Sequence, residues 1–366
     1  MADSQRDGGV SAESVPELLT SAADDSKKEN PPPSLKPGDP APALKAGKWF
    51  QGEVVKDFEP GKVYVVEFWA TWCGPCIAFM PDLAELQTQY ANQGVTCIAV
   101  TARDILGIPN NTEEKVAAFV KKRGPKLKFT FAYAPDLTTY DAWMTAAGRD
   151  AIPCSFVVDK TGHIAYIGDP TYLELVLARV VPGNIKAQAV ADELDKIKQE
   201  FAAVNKSLFP DHKAGLQALA AFEAKYPPLA NNRYAVRTKL SLLPKIGEFD
   251  EAKKVAETVV ASATRGRKPN ALLQVAVLLR NGPGKESKEL LAVAVKAADA
   301  AVQVTGGEDA SALIDLAQTY FAVGDRAKAK ECAQKAVAAI SEESAELKQF
   351  IEREAKKLTE EKTVDK

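Results

Sequence analysis

Histidine and cysteine are scarce in this chain, and each scarcity removes a class of chemistry. Two histidines, His163 and His212, give little support to a histidine-based metal site or a catalytic triad. Five cysteines in 366 residues are too sparse for a disulfide framework. An excess of charge is missing too. With 47 Lys and Arg against 49 Asp and Glu, the net charge of −2 points to neither a nucleic acid nor a membrane surface as partner. No apolar run approaches the ~20 residues that a membrane span requires. The opening MADSQRDGGVSAESVPELLT lacks a basic segment leading into an apolar one, so the chain as given carries no secretory signal. A cytoplasmic protein is expected, or a periplasmic or otherwise extracytoplasmic one if a signal precedes Met1.

What remains is ordinary globular material, 46% hydrophobic and 26% charged. The length suits two domains at roughly 100–200 residues each. Residues 1–35, rich in Ser, Asp, Lys and Pro, read as a disordered leader that stiffens at prolines 31–33. From 36 to 182 strand-like runs alternate with helical ones. Strands are expected over 63–70, 95–101, 129–133, 155–158 and 163–167, helices over 76–92 and 113–122, and a hairpin turn at 159–162. Such alternation implies βαβ units and a sheet with parallel pairs.

Beyond 182, Ala, Lys, Glu and Leu recur at helical spacing. Residues 183–212 read as a connecting helical linker and 213–366 as an all-α array. Residues 312–340 form two amphipathic helices around Gly324-Asp325. Gly247, Ala252 and Ala256 lie 77 residues before Gly324, Ala329 and Ala333. A hairpin between them, at 271–301, gives a repeat of about 38 residues. Leu316, Ala317, Tyr320, Gly324, Ala329 and Ala336 resemble the tetratricopeptide spacing. Ser341 stands where a proline usually follows the second helix, and an irregular α-bundle is the alternative.

The run VYVVEFWATWCGPC, residues 63–76, carries the chemistry. Cys73 follows a strand and opens a helix, where free backbone N–H groups and the positive helix end favour its thiolate. Cys76 lies one turn on, facing inward and shielded behind an exposed Cys73, with the two α-carbons inside the span a disulfide tolerates. Pro75 falls in the first turn, where a missing N–H costs little. A zinc half-site is the rival reading, although a second ligand pair is missing. Glu67 is a lone acid among Val65, Val66, Phe68 and Trp69. Burial would raise its pKa and suit it to pass a proton to or from Cys76.

Glu67 through Ala70 and Trp72 through Cys76 look like the active-site stretch of the thioredoxin superfamily, which usually has Asp at the acid position. Pro81 matches the proline that kinks the family's active-site helix. Ile152-Pro153 matches its cis-proline, and Gly168 a glycine beside its substrate groove. Residues 101–136 resemble the insertion of the TlpA-like branch. The resemblance covers residues 36 to about 181 and implies an α/β thioredoxin fold, a central mixed sheet flanked by helices, with the helical array following. It implies a redox-active Cys73–Cys76 disulfide with Cys73 as nucleophile and Cys76 as resolving thiol. The substrate face would comprise Trp72, Gly74, Pro75, Ile152, Pro153 and Gly168, where the Ile152 backbone could pair with an extended peptide.

Two departures stand out. The strand 95–101 carries no lysine to partner Glu67, so Glu67 is expected to titrate higher. Cys154 occupies the usual threonine position after the cis-proline. It reads as a small buried core residue, or as a third thiol that modulates the pair. Cys97 and Cys332 read as packing, and Trp69 divides evenly between core and substrate face.

The function expected is reduction of protein disulfides by dithiol exchange, with no cofactor beyond the disulfide and no metal. Partners would be a disulfide-containing protein substrate and an electron donor, either a reductase or a quinone-linked thiol donor. The array could bind a protein partner. Two alternatives stay open. One is a partner-binding helical-repeat protein with a tethered redox domain. The other is a peroxiredoxin-like antioxidant, suggested by the opening Gly38-Asp39-Pro40-Ala41-Pro42.

Overall fold

The valine- and phenylalanine-rich runs become strands because each can be covered on both faces. The computed structural model describes residues 34–103, 105–108, 110–183, 186–340 and 345–359. The expected leader, up to residue 33, lies outside them. The strands are β1 (Lys48–Gln51), β2 (Val63–Phe68), β3 (Val95–Ala102), β4 (Thr130–Ala134), β5 (Cys154–Val158) and β6 (Ile164–Gly168). They form one six-stranded sheet in the order β1-β4-β3-β2-β5-β6. β2 and β4 flank β3 in parallel, while the β1–β4, β2–β5 and β5–β6 pairs are antiparallel. Every residue of β2, β4 and β5 is buried, which is why these strands read as unbroken apolar runs. β1 escapes the sequence reading because it is a short edge strand, with Lys48 exposed and the rest half-buried.

Helix α1 (Gly74–Tyr90) links β2 to β3, and α2 (Glu113–Leu127) links β3 to β4. The hydroxyl of Thr112 caps α2, and Glu113 and Glu114 sit in its positive first turn. α2 runs five residues past the expected end at Lys122, through Gly124 and Pro125. The Gln51 side-chain amide donates to the Gly124 carbonyl at 3.1 Å, so tertiary contact prolongs what local propensity would end. A short α3 (Thr138–Tyr140) continues as a π-helical turn over Asp141–Thr145, and α4 (Leu173–Val180) follows β6. Aromatic rings fill the core. Trp143 meets Phe156 edge-on at 5.2 Å, and Trp69 packs between Phe119 and Phe131. This is the thioredoxin fold, a mixed sheet with helices against it.

From α5 (Ala187–Ser207) onward the described chain is helical: α6 (His212–Lys225), α7 (Arg233–Leu242), α8 (Phe249–Arg265), α9 (Pro269–Asn281), α10 (Lys288–Thr305), α11 (Ala310–Ala322), α12 (Arg326–Ala338) and α13 (Ala345–Thr359). Asp211, Asn232, Ser287, Asp309 and Asp325 cap α6, α7, α10, α11 and α12 with side-chain oxygens. Gly247 before α8 and Gly324 before α12 both take left-handed φ, +81° and +85°, so the spaced glycines mark equivalent turns.

The segment expected to connect the two parts is mostly α5, whose Val190, Leu194 and Ile197 are buried in the same core as the sheet. Farther on, Lys268 at the head of α9 reaches two carboxylates of α1, Asp82 at 2.5 Å and Glu85 at 2.6 Å. Lys268→Ala is expected to destabilise the chain by about 1–2 kcal/mol, between an exposed and a buried ion pair, because two half-covered carboxylates lose their cation. Urea unfolding checks this, and Asp82→Asn in the same chain should recover part of the loss.

Candidate active site

The chain leaves β2 at Phe68 and reaches α1 through Trp69, Ala70, Thr71 and Trp72. Cys73 is the N-cap of α1, with extended φ and ψ of −81° and 92°. Its sulfur accepts the Cys76 backbone N–H at 3.2 Å, which satisfies one of the free donors of the first turn. No acidic residue occupies that turn to offset the positive helix end. Cys73 and Cys76 are joined as a disulfide with α-carbons 5.3 Å apart. Pro75 sits in the first turn, and Pro81 lies inside the same helix.

One expectation needs correcting. Cys73 was expected to be exposed and Cys76 shielded, yet the two residues are only 4% and 2% accessible. In the disulfide, the Cys73 sulfur folds over the helix end and lies 3.8 Å from the Ile152 carbonyl oxygen. Gly74 and Pro75 are the exposed part of the motif, and Trp72, Ile152, Pro153 and Gly168 are half-buried around it. The Ile152-Pro153 peptide is cis. Gly168 pairs with Ser155 across β5–β6. A Cβ at Gly168 would come within 2.8 Å of the Tyr166 hydroxyl, which donates to the Asp169 carbonyl, so this position has no room for a side chain. The expected substrate-face residues thus come together at one end of the sheet, where β2 ends and β5 begins.

Glu67 is 3% accessible. In the sheet it stands beside Ala99 of β3 on one side and Ser155 of β5 on the other. No lysine faces it from β3. The Ser155 hydroxyl donates to Glu67 Oε2, while Oε1 is buried without a hydrogen-bond partner. Burial pushes the Glu67 pKa up from 4.5 to about 8; the Ser155 hydrogen bond opposes the rise and the Asp169 charge adds to it.

The remaining thiols are enclosed. Burial raises the Cys154 pKa to about 12, with the Glu67 charge adding to it, and raises Cys97 and Cys332 as well. Trp69 is fully buried and resolves to core. Trp72 is half-buried, its indole Nε1 covered and unpartnered.

Two residues went unnoticed in the sequence. Ser155 is one. The other is Asn111, fully buried, whose Oδ1 accepts from the Thr71 backbone N–H at 2.9 Å and the Thr71 hydroxyl at 3.0 Å. Its Nδ2 donates to Thr101 Oγ1 at 2.6 Å and to the Ala102 carbonyl at 2.8 Å. Asn111 thereby ties the loop before the thiols to the end of β3, with its side-chain amide satisfied on both atoms. Nothing in a lone asparagine of a loop announces this.

The Redoxin family model matches residues 36–172. The FixW protein of Rhizobium leguminosarum is 33% identical over 154 residues, covering 42% of this chain and 70% of that one. The thiol-disulfide oxidoreductase ResA of Bacillus anthracis is 33% identical over 132 residues, 35% of this chain and 68% of that one. A solved structure, a thiol:disulfide interchange protein of the thioredoxin family from Chlorobium tepidum TLS, aligns over 40% of this chain and 98% of its own at 24% identity, with a TM-score of 0.32.

Proposed function

This chain belongs to the ResA/TlpA-like family of thiol-disulfide oxidoreductases, and from that premise we propose that it reduces disulfides of protein substrates by dithiol exchange through Cys73 and Cys76. The observation that carries the reading is the Cys73–Cys76 pair at the helix N-terminus, with an uncharged Gly-Pro between them and a buried acid on the strand that leads to it.

In the reduced chain, the Cys73 thiolate attacks one sulfur of the substrate disulfide. The substrate S–S bond breaks, a mixed disulfide forms, and the departing substrate sulfur takes a proton. Cys76 gives its proton to Glu67 in its ionised form, the minor one at neutral pH for a carboxyl titrating at about 8, and attacks Cys73 Sγ. The second substrate sulfur leaves as a thiolate and takes up that proton from Glu67, the Cys73–Cys76 bond closes, and two electrons have passed to the substrate. A raised Glu67 pKa fits this step, because a carboxylate of ordinary acidity would hold a thiol proton poorly near neutral pH. An external dithiol must then reduce the pair, and a reductase or a quinone-linked thiol donor would serve. No further cofactor enters these steps.

Trp72, Gly74, Pro75, Ile152, Pro153 and Gly168 form the accessible surface over which a substrate strand would lie. We take 36–182 as the redox unit and 213–366 as a tetratricopeptide-like array, supported by the matched glycine turns before α8 and α12. A partner protein on that array is the role this implies.

The test is trapping. A Cys76→Ser chain, reduced and mixed with a disulfide-bonded protein such as insulin, should accumulate a mixed disulfide through Cys73 that non-reducing electrophoresis resolves. The parent should precipitate insulin in the presence of a small-thiol reductant faster than the reductant alone. A parent that adds nothing to the reductant would sink the reading.

A further inference from the structure

We propose that Ser155 is a positioning residue for the thiol pair: by donating its hydroxyl to Oε2 of Glu67, it decides which carboxyl oxygen stays free to exchange a proton with Cys76. The inference rests on the shuttle role proposed for Glu67 above.

The geometry follows from the sheet. Glu67 and Ser155 are direct partners in the antiparallel β2–β5 pair, and side chains of such partners leave one face with β-carbons roughly 5 Å apart. Both are buried, at 3% and 0% accessibility. The other strand neighbour, Ala99, offers no polar group. The titratable groups that interact with the carboxyl are the Cys97 thiol from β3, the Cys154 thiol from β5 and Asp169 after β6. None of these is a cation. Among the described residues, Ser155 is the one hydrogen-bond donor to the carboxyl, and Oε1 has no partner.

A hydroxyl suits a proton-carrying acid better than a cation does. It donates to the ionised carboxylate and, by turning, accepts from the protonated acid, so both states keep a hydrogen bond. A lysine, which only donates, could not accept the proton of the acid form and would hold the carboxyl ionised by its charge. Ser155 therefore favours the charged state, as a donor to a carboxylate must, without locking it there. It also costs Glu67 one rotamer choice, which leaves Oε1 as the oxygen through which a proton enters or leaves.

The test uses the full chain carrying Ser155→Ala, Ser155→Thr or Glu67→Gln. The Glu67 titration is read from the carboxyl stretch in infrared difference spectra against the Glu67→Gln chain, and insulin reduction is followed across pH. Ser155→Ala should move the Glu67 midpoint upward by about one pH unit, since a donor to the charged form is gone. It should slow reduction at neutral pH by roughly three- to tenfold, less than the roughly 10²–10⁴-fold of a whole acid–base group because Glu67 itself remains. Ser155→Thr, which keeps the hydroxyl, should restore both. An unmoved midpoint and an unmoved rate in Ser155→Ala, with native near-ultraviolet dichroism, overturn the role. So does a folded Ser155→Thr chain that behaves like the alanine one. The two readings separate cleanly: Glu67→Gln matching the parent at every pH removes the shuttle and this role with it. A slow Glu67→Gln beside a parental Ser155→Ala removes this role alone.

Discussion

A Cys73→Ser chain is expected to reduce insulin no faster than the small-thiol reductant by itself, a loss on the order of 10³-fold or more, as for removal of an activated nucleophile. No other thiol is placed to take over. Cys154 is held near pKa 12 by burial, and Cys97 and Cys332 are enclosed in the two cores. Cys76 stays behind the first turn, 2% accessible and without the helix-end N–H that Cys73 receives. The loss should be chemical, not structural. The Cys73–Cys76 bond closes a loop of sequence separation 3, and chain entropy assigns so short a loop only about 2 kcal/mol. Turbidity measures the activity and circular dichroism the fold. Activity within tenfold of the parent would move the chemistry to another sulfur.

Glu67→Gln should make the chain more stable in alkali while making it a poorer reductase. The sign follows from the raised pKa. Between 4.5 and about 8 the folded chain keeps a proton on Glu67 that the unfolded chain releases. The folded state then binds more protons, so stability falls as pH rises through that window. The contribution is intact below 4.5 and lost by about 8. At 1.36 kcal/mol per pH unit, the fall approaches about 5 kcal/mol at most. Glutamine carries no charge to bury, so its chain should lack this fall. Near pH 8.5 the oxidised variant should exceed the parent by ~3–5 kcal/mol, and near pH 4.5 the two should agree. Urea unfolding at both values gives the comparison, and parallel pH profiles would count against a buried, proton-holding Glu67.

The most legible features were those in which local chemistry and burial agree. β2, β3, β4 and β5 announced themselves because strands covered on both faces read as apolar runs, and Cys73 because a C-x-x-C with a proline inside it, following a strand, suits the first turn of a helix. The turns at Gly247 and Gly324 were visible for a similar reason, since glycine is favoured where φ must be positive. Features that depend on register were hidden. Ser155 reads as an ordinary polar residue in CSFVV until β5 is laid against β2 and Glu67 falls opposite it. Asn111 matters through Thr71, 40 positions away, a distance no periodicity reports. The covered state of Cys73 was missed because closing the disulfide folds its sulfur onto the helix end and beside the Ile152 carbonyl, 79 positions away in sequence. β1 was missed because a four-residue edge strand has too little pattern to declare itself.

The burial of α5 carries a practical warning. The family match ends at residue 172, but the apolar stripe of Val190, Leu194 and Ile197 lies beyond it and shares its core with the sheet. A fragment trimmed to the matched span would bare the greasy seat of that helix to water. Such a fragment should bind hydrophobic dyes and clump on storage, whereas one continued through Ala230, which keeps Phe222 and Leu229 of the same core, should remain well dispersed.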